Sequence, residues 1–168
     1  DEIDGRDEAI VTSDQQLITD DFLFERLINK IQEGTKMMAI MDCCHSGSIL
    51  DLHYKYCGGS VNANINPRCK TQADIVALSG CSDSQTSADA VFNNKWNGAL
   101  TKNLVKILNA SNFNLSCNSL MINLINNLRK AGFTQFPEMT CTKTLNSGKR
   151  FCAKSFFEIN DDNRPYLC

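Results

Sequence analysis

Lys36-Met37-Met38-Ala39-Ile40-Met41-Asp42-Cys43-Cys44-His45-Ser46-Gly47 is the stretch whose reading decides the fold. A continuous apolar run closed by an acid reads as a strand buried on both faces, the kind that parallel sheets use. Cys43 to Gly47 then makes the turn at its carboxyl end. Asp74-Ile75-Val76-Ala77-Leu78-Ser79 repeats the pattern and also ends in small polar residues. Between and around these strands the period changes. Thr19-Asp20-Asp21 opens an amphipathic helix with Phe22, Leu23, Leu27, Ile28 and Ile31 at helical spacing, stopped by Gly34. Gly98 leads into a second helix from about Ala99 to Leu108. Leu115 to Lys130 forms a third, with Leu120, Ile122, Leu124, Ile125 and Leu128 apolar and Gly132 at its end. Ser155-Phe156-Phe157-Glu158-Ile159 reads as a last short strand. Residues 53–72, with Gly58-Gly59 and Pro67, read as an exposed loop, and residues 80–97 as a polar connection. Apolar strands alternating with helices predict an α/β fold with helices on the sheet's faces. No repeat or low-complexity linker divides residues 1–168, which are expected to form a single domain.

In such sheets chemistry gathers where strands end at their carboxyl edge. The two strong strands end in Asp42-Cys-Cys-His-Ser-Gly47 and Ser79-Gly-Cys-Ser-Asp83, so both polar loops fall on one rim. A cysteine at a strand end can expose its sulfur while its backbone amide faces a developing oxyanion. Its thiolate needs a base or a positive field near neutral pH. His45 is adjacent in sequence but faces the other way, which makes it a poor partner for Cys44.

Composition limits the function classes. The 168 residues carry 17 basic and 19 acidic side chains, a net charge of −2, and so give no electrostatic case for nucleic acid. No apolar run approaches the roughly 20 residues of a membrane span, and no signal peptide is visible. Asp1, Glu2, Asp4, Asp7, Glu8, Asp14, Asp20 and Asp21 crowd the amino-terminal end, as a cation site or a solvated acidic edge would. The nine cysteines are odd in number and include no pair of CxxC motifs, which argues against structural zinc. Cys57, Cys69, Cys117, Cys141, Cys152 and Cys168 lie in polar or loop-like surroundings, where an oxidising compartment would let them pair. Asn109-Ala-Ser and Asn114-Leu-Ser are formal glycosylation sequons. The working expectation is a cytoplasmic protein, against which these cysteines and sequons keep an extracellular one open.

The run from Met38 through Asp42-Cys43-Cys44-His45-Ser46-Gly47 to Ser48-Ile49-Leu50-Asp51-Leu52 closely resembles the nucleophile segment of metacaspases. That segment is an apolar strand, Asp-x-Cys-His-Ser-Gly, and a Ser-x-Leu-Asp-like tail. Asp4-Gly5-Arg6-Asp7-Glu8 resembles the family's Asp-Gly-x-Asp-Glu turn, and Ile18-Thr19-Asp20-Asp21 its Ile-x-Asp-Asp helix start. Ala77 to Ala90 resembles its Ser-Gly-x-x-Asp-x-Gln-x-Ser-Ala-Asp stretch, after which Gly98-Ala-Leu-Thr and Gln135-Phe-Pro-Glu keep the order. The likeness runs from residue 1 to about residue 142.

The resemblance implies a caspase-like three-layer sandwich, a mainly parallel sheet flanked by helices, whose first strands precede this chain. It implies a cysteine endopeptidase acting on protein or peptide substrates with Arg or Lys before the scissile bond. Cys44 would be the nucleophile and Cys43 a packed thiol. Asp42 would lie in the substrate pocket, where a carboxylate pairs with a basic side chain; capping of a turn is the other reading of the same residue. An acid there is opposite to the basic pocket of caspases. Calcium would be held by Asp4, Asp20, Asp21 and Asp51, hard oxygen donors for a hard cation, although Thr19-Asp20-Asp21 also fits a helix cap. The loop 53–72, with Lys55, Arg68 and Lys70, is where self-cleavage is expected, or else a solvated basic loop. The family's general base is a histidine followed by glycine on an earlier strand, expected shortly before Asp4, in an amino-terminal portion of the same protein. His45 and His53 match neither position. Two other readings stand beside the peptidase: an inactive scaffold of the same fold, and a redox protein using Cys43-Cys44, which lacks the CxxC spacing.

Overall fold

The computed structural model describes residues 8–43, 46–57, 60–82, 89–92, 95–144 and 150–151. Strands β1 (Ala9–Val11) and β2 (Leu17–Thr19) form an antiparallel hairpin that delivers the chain to α1 (Asp20–Arg26). The Thr19 hydroxyl accepts the Phe22 N–H at 3.3 Å, and Asp20 and Asp21 put negative charge at the positive end of the helix. The helix stops short of Ile31, because the chain tightens into a 3-10 turn over Ile28–Lys30. Gly34, at φ 84°, takes the left-handed turn into β3 (Lys36–Met41). β4 (Tyr54–Cys57), β5 (Ser60–Asn64) and β6 (Asp74–Ser79) follow. A hairpin of β7 (Asp89–Phe92) and β8 (Lys95–Gly98) leads into α2 (Ala99–Ala110). A short β9 (Leu115–Ser116) precedes α3 (Cys117–Lys130), which Ser116 caps and Gly132 terminates at φ 84°. β10 (Glu138–Cys141) and β11 (Arg150–Phe151) complete the order, β11 pairing with β9.

The main sheet runs β3-β6-β10-β4-β5. β3 and β6 are parallel, Met38 opposite Val76, and the other neighbours are antiparallel. Strand alternation divides the core into two layers. Val76 and Leu78 point into one cluster with Met139, Cys141, Leu100, Leu104, Leu120 and Leu124, beneath α2 and α3. Ile75 and Ala77 point the other way, into a cluster with Ala39, Ile49, Leu50, Leu52, Phe24 and Ile28. Both faces of β6 are therefore covered, which explains its uninterrupted apolar reading. Each fully buried leucine or isoleucine contributes about 1.5–3 kcal/mol relative to an exposed one.

The α/β architecture with helices on both faces is the one expected, and the sheet itself is mixed rather than mainly parallel. β3 is also less buried than its sequence predicts. Among the described strands it lies at the sheet's edge, and Ile40 on it is 44% exposed. Residues 53–72 are not one exposed loop. They supply β4 and β5, with Tyr56 in the core and Lys55 held by Glu138 at 2.6 Å. Three of the cysteines assigned to polar surroundings are buried: Cys117 and Cys141 beneath α2 and α3, and Cys69 in the opposite cluster. Burial pushes the Cys69 thiol above its ordinary range, because desolvation disfavours the thiolate. The strand expected at residues 155–159 lies outside the described residues.

The layering is checked by two truncations in urea unfolding. Leu78→Ala is expected to cost about 2–5 kcal/mol, whereas Val105→Ala, on the exposed face of α2, stays within about 0.5 kcal/mol. Equal costs would contradict the assignment of β6 to the buried centre.

Candidate active site

Because β3 and β6 run parallel, their carboxyl ends emerge side by side. Gly80 N–H donates to the Met41 carbonyl at 2.9 Å and so carries the parallel ladder one residue past both strands. From there the two exits are stitched together. Ser46 Oγ donates to the Cys43 carbonyl at 2.9 Å, and Cys81 Sγ lies 3.5 Å from the same oxygen. Ser79 Oγ donates to the Ser46 carbonyl at 2.5 Å. Gln135, itself buried, donates to the Gly80 carbonyl at 2.9 Å and braces the second loop from the start of β10. The convergence expected from the two strand ends is thus present, with anchors at Met41, Cys43 and Ser46. Cys44 and His45 lie outside the described residues, between those anchors.

Asp42, half-buried, sits at the same rim. Its Oδ2 accepts the backbone N–H of Thr101 at 2.8 Å, in the first turn of α2. Gly98, the residue before that helix, makes no side-chain cap, so Asp42 supplies the missing acceptor from another part of the chain. The expected cap of the turn after β3 is not the contact seen: the Asp42 carboxylate serves the first turn of α2 instead.

His53 is excluded as a base by topology. It precedes β4, which is parallel to β6, and Tyr54 pairs with Cys141 at the opposite end of the strands from Ser79. Its Nδ1 lies 3.1 Å from the Cys69 carbonyl, and its ring meets Tyr54 edge-on.

The acidic positions divide by environment. Asp20 is 1% exposed, and its carboxylate accepts the N–H of Asp21 at 2.7 Å and of Glu8 at 3.3 Å. Glu8 in turn accepts from Ser48 Oγ at 3.0 Å, and the Ser48 carbonyl accepts the Asp51 N–H at 2.6 Å. Asp51 is buried in a left-handed conformation at φ 49°. This relay links Asp20 to Asp51 across the segment after Ser46, and it runs through Glu8, which the sequence analysis placed in the acidic run and its motif but not among the expected calcium positions. Asp21 is exposed, 3.7 Å from Arg68, a surface pair worth about 0–1 kcal/mol. Asp4 lies outside the described residues. Among the described residues no three His, Cys, Asp or Glu side chains gather as metal ligands would. No helix among them is long and apolar enough to cross a membrane.

Residues 1–147 match the family described as the caspase domain. Metacaspase-3 of Trypanosoma cruzi is 35% identical over 159 residues, covering 85% of this chain and 44% of its own length. Metacaspase-2 of Trypanosoma brucei brucei is 31% identical over 157 residues, covering 85% and 45%. A protein named inactive metacaspase-4, from Trypanosoma brucei brucei, is 27% identical over 174 residues, covering 94% and 49%. The chain spans under half the length of each of these relatives.

The stitching of the two exits is open to measurement. Ser79→Ala leaves the Ser46 carbonyl without its buried donor and is expected to cost about 1–3 kcal/mol in urea unfolding. A cost below about 0.5 kcal/mol would mean that this bond does not anchor the turn.

Proposed function

The chain belongs to the caspase-domain family of cysteine peptidases, and on that premise we propose that Cys44 is the nucleophile of a metacaspase-type endopeptidase that cleaves after Arg or Lys. The observation that carries this reading is the pair of fixed neighbours around Cys44, with the Asp42 carboxylate on the same rim. In the reaction the Cys44 thiolate adds to the scissile carbonyl carbon. The C–N bond breaks as the departing amine takes a proton from the histidine expected upstream of Asp4. Water then hydrolyses the acyl thioester and returns the thiol. Asp42 pairs with the substrate's basic side chain before the scissile bond, a charge-assisted contact that a caspase pocket would repel.

Calcium dependence belongs to the same proposal. The support for it is that Asp20 and Asp51 are buried acids linked through Glu8 and Ser48; with Asp4 and Asp21 they make up the proposed set, although the described carboxylates do not by themselves gather as a ligand group. When bound, calcium would supply charge neutralisation to these carboxylates. Self-cleavage is proposed at Lys70, which is exposed, rather than at Lys55, whose strand is hydrogen-bonded on both edges. The second reading, an inactive scaffold, is favoured by one observation: a relative covering 94% of this chain bears the name inactive metacaspase.

The test uses the full-length protein, calcium and an Arg or Lys peptide amide. Cys44→Ala is expected to lower kcat roughly ten-thousandfold, and calcium to raise the unfolding temperature of that variant as well as of the wild type. Equal activity in the two proteins would overturn the nucleophile assignment, and no activity in the wild type would favour the scaffold. A calcium-insensitive unfolding temperature would remove the cation.

A further inference from the structure

Gly98 precedes α2 at φ −64° and ψ 133°, a conformation open to every residue. Backbone conformation therefore gives no reason for glycine. Space does. A Cβ on residue 98 would overlap Cγ and Oδ2 of Asp42 and lie 2.9 Å from Oδ1, and these three atoms are its nearest neighbours. All three belong to one carboxylate, whose Oδ2 is held by Thr101 N–H at 2.8 Å. Asp42 and Thr101 are 59 residues apart, so the contact is tertiary and fixes the end of β3 against the start of α2.

We propose that Gly98 is a positioning residue for substrate specificity: by lacking a side chain it lets the α2 amino terminus seat the Asp42 carboxylate at the rim. The inference rests on the reading of Asp42 as the acid that meets Arg or Lys. A carboxylate held by a backbone N–H at the start of a helix keeps one orientation. Its rotamer is fixed before substrate arrives, so little side-chain freedom is lost on binding. A methyl group at position 98 removes that seat without touching the charge. The loss then appears in binding of the basic side chain and not in the chemistry at the thiol.

The experiment compares Arg and citrulline peptide amides in the full-length protein, with Gly98→Ala beside Asp42→Asn. Gly98→Ala is expected to raise KM for the Arg peptide roughly tenfold to a hundredfold, with little change in kcat, and to shrink the preference for Arg over citrulline. If Asp42→Asn leaves that preference intact, the pocket reading falls and this inference with it. If Asp42→Asn abolishes the preference and Gly98→Ala does not alter it, the pocket stands and the role of Gly98 is refuted. A thermal-melt cycle reads the contact without any activity. Gly98→Ala should lower the unfolding temperature in the wild type, or prevent folding, and be neutral in the Asp42→Gly background. A comparable loss in the Asp42→Gly background would show that the methyl group meets something other than the carboxylate, and would overturn the proposal.

Discussion

The parallel pairing of β3 with β6 is the constraint on which the rest depends. Antiparallel strands would send Asp42 and Ser79 to opposite ends of the sheet, and no side-chain chemistry could then join them. Parallel pairing brings both exits to one rim, in register from Lys36 opposite Asp74 to Met41 opposite Ser79. The ladder continues through Gly80 N–H, and serine hydroxyls take over where the backbone pattern ends. Backbone geometry thus brings the two loops together, and short polar side chains determine where each carbonyl points.

The helices do more than cover the sheet. α2 buries Leu100, Leu104, Ile107 and Leu108 against one face, which fixes its axis, and its first turn then holds Asp42. Core packing and the orientation of a rim carboxylate are consequently coupled through one helix. On the other face, α1 is tied to the β1 segment by Asp20, whose backbone N–H donates to the Glu8 carbonyl at 3.0 Å while its carboxylate accepts from Glu8. Glu8 then reaches Ser48, just past the nucleophile turn. Glu8 and Asp20 thereby connect α1 to the segment just past Ser46.

Much of this was legible in the sequence where the signal was local. β6 and the two longer helices follow from an apolar run and from 3.6-residue spacing, and tertiary contacts reinforced those preferences. β10 escaped notice because Glu138-Met139-Thr140-Cys141 is short and half polar. It is a strand through its two neighbours, and Glu138 tolerates near-burial through Lys55. β4 and β5 were hidden by the loop-like Gly58-Gly59 signal, whereas the segments on either side of it pair as strands. Cys69, Cys117 and Cys141 were misread because a cysteine in a polar stretch can still turn its side chain inward. At the site, the motif around Cys44 was legible and the partners of Asp42 were not, since Thr101 and Gly98 lie far away along the chain.

The central claim is that Cys44, and neither Cys43 nor Cys81, is the group that attacks. It is tested most directly by treating the full-length protein, with calcium, with a peptidyl chloromethyl ketone ending in arginine and mapping the adduct by mass spectrometry. The account predicts one adduct, on Cys44, and none when citrulline replaces arginine. An adduct on Cys43 or Cys81, or equal labelling by the citrulline reagent, would contradict it.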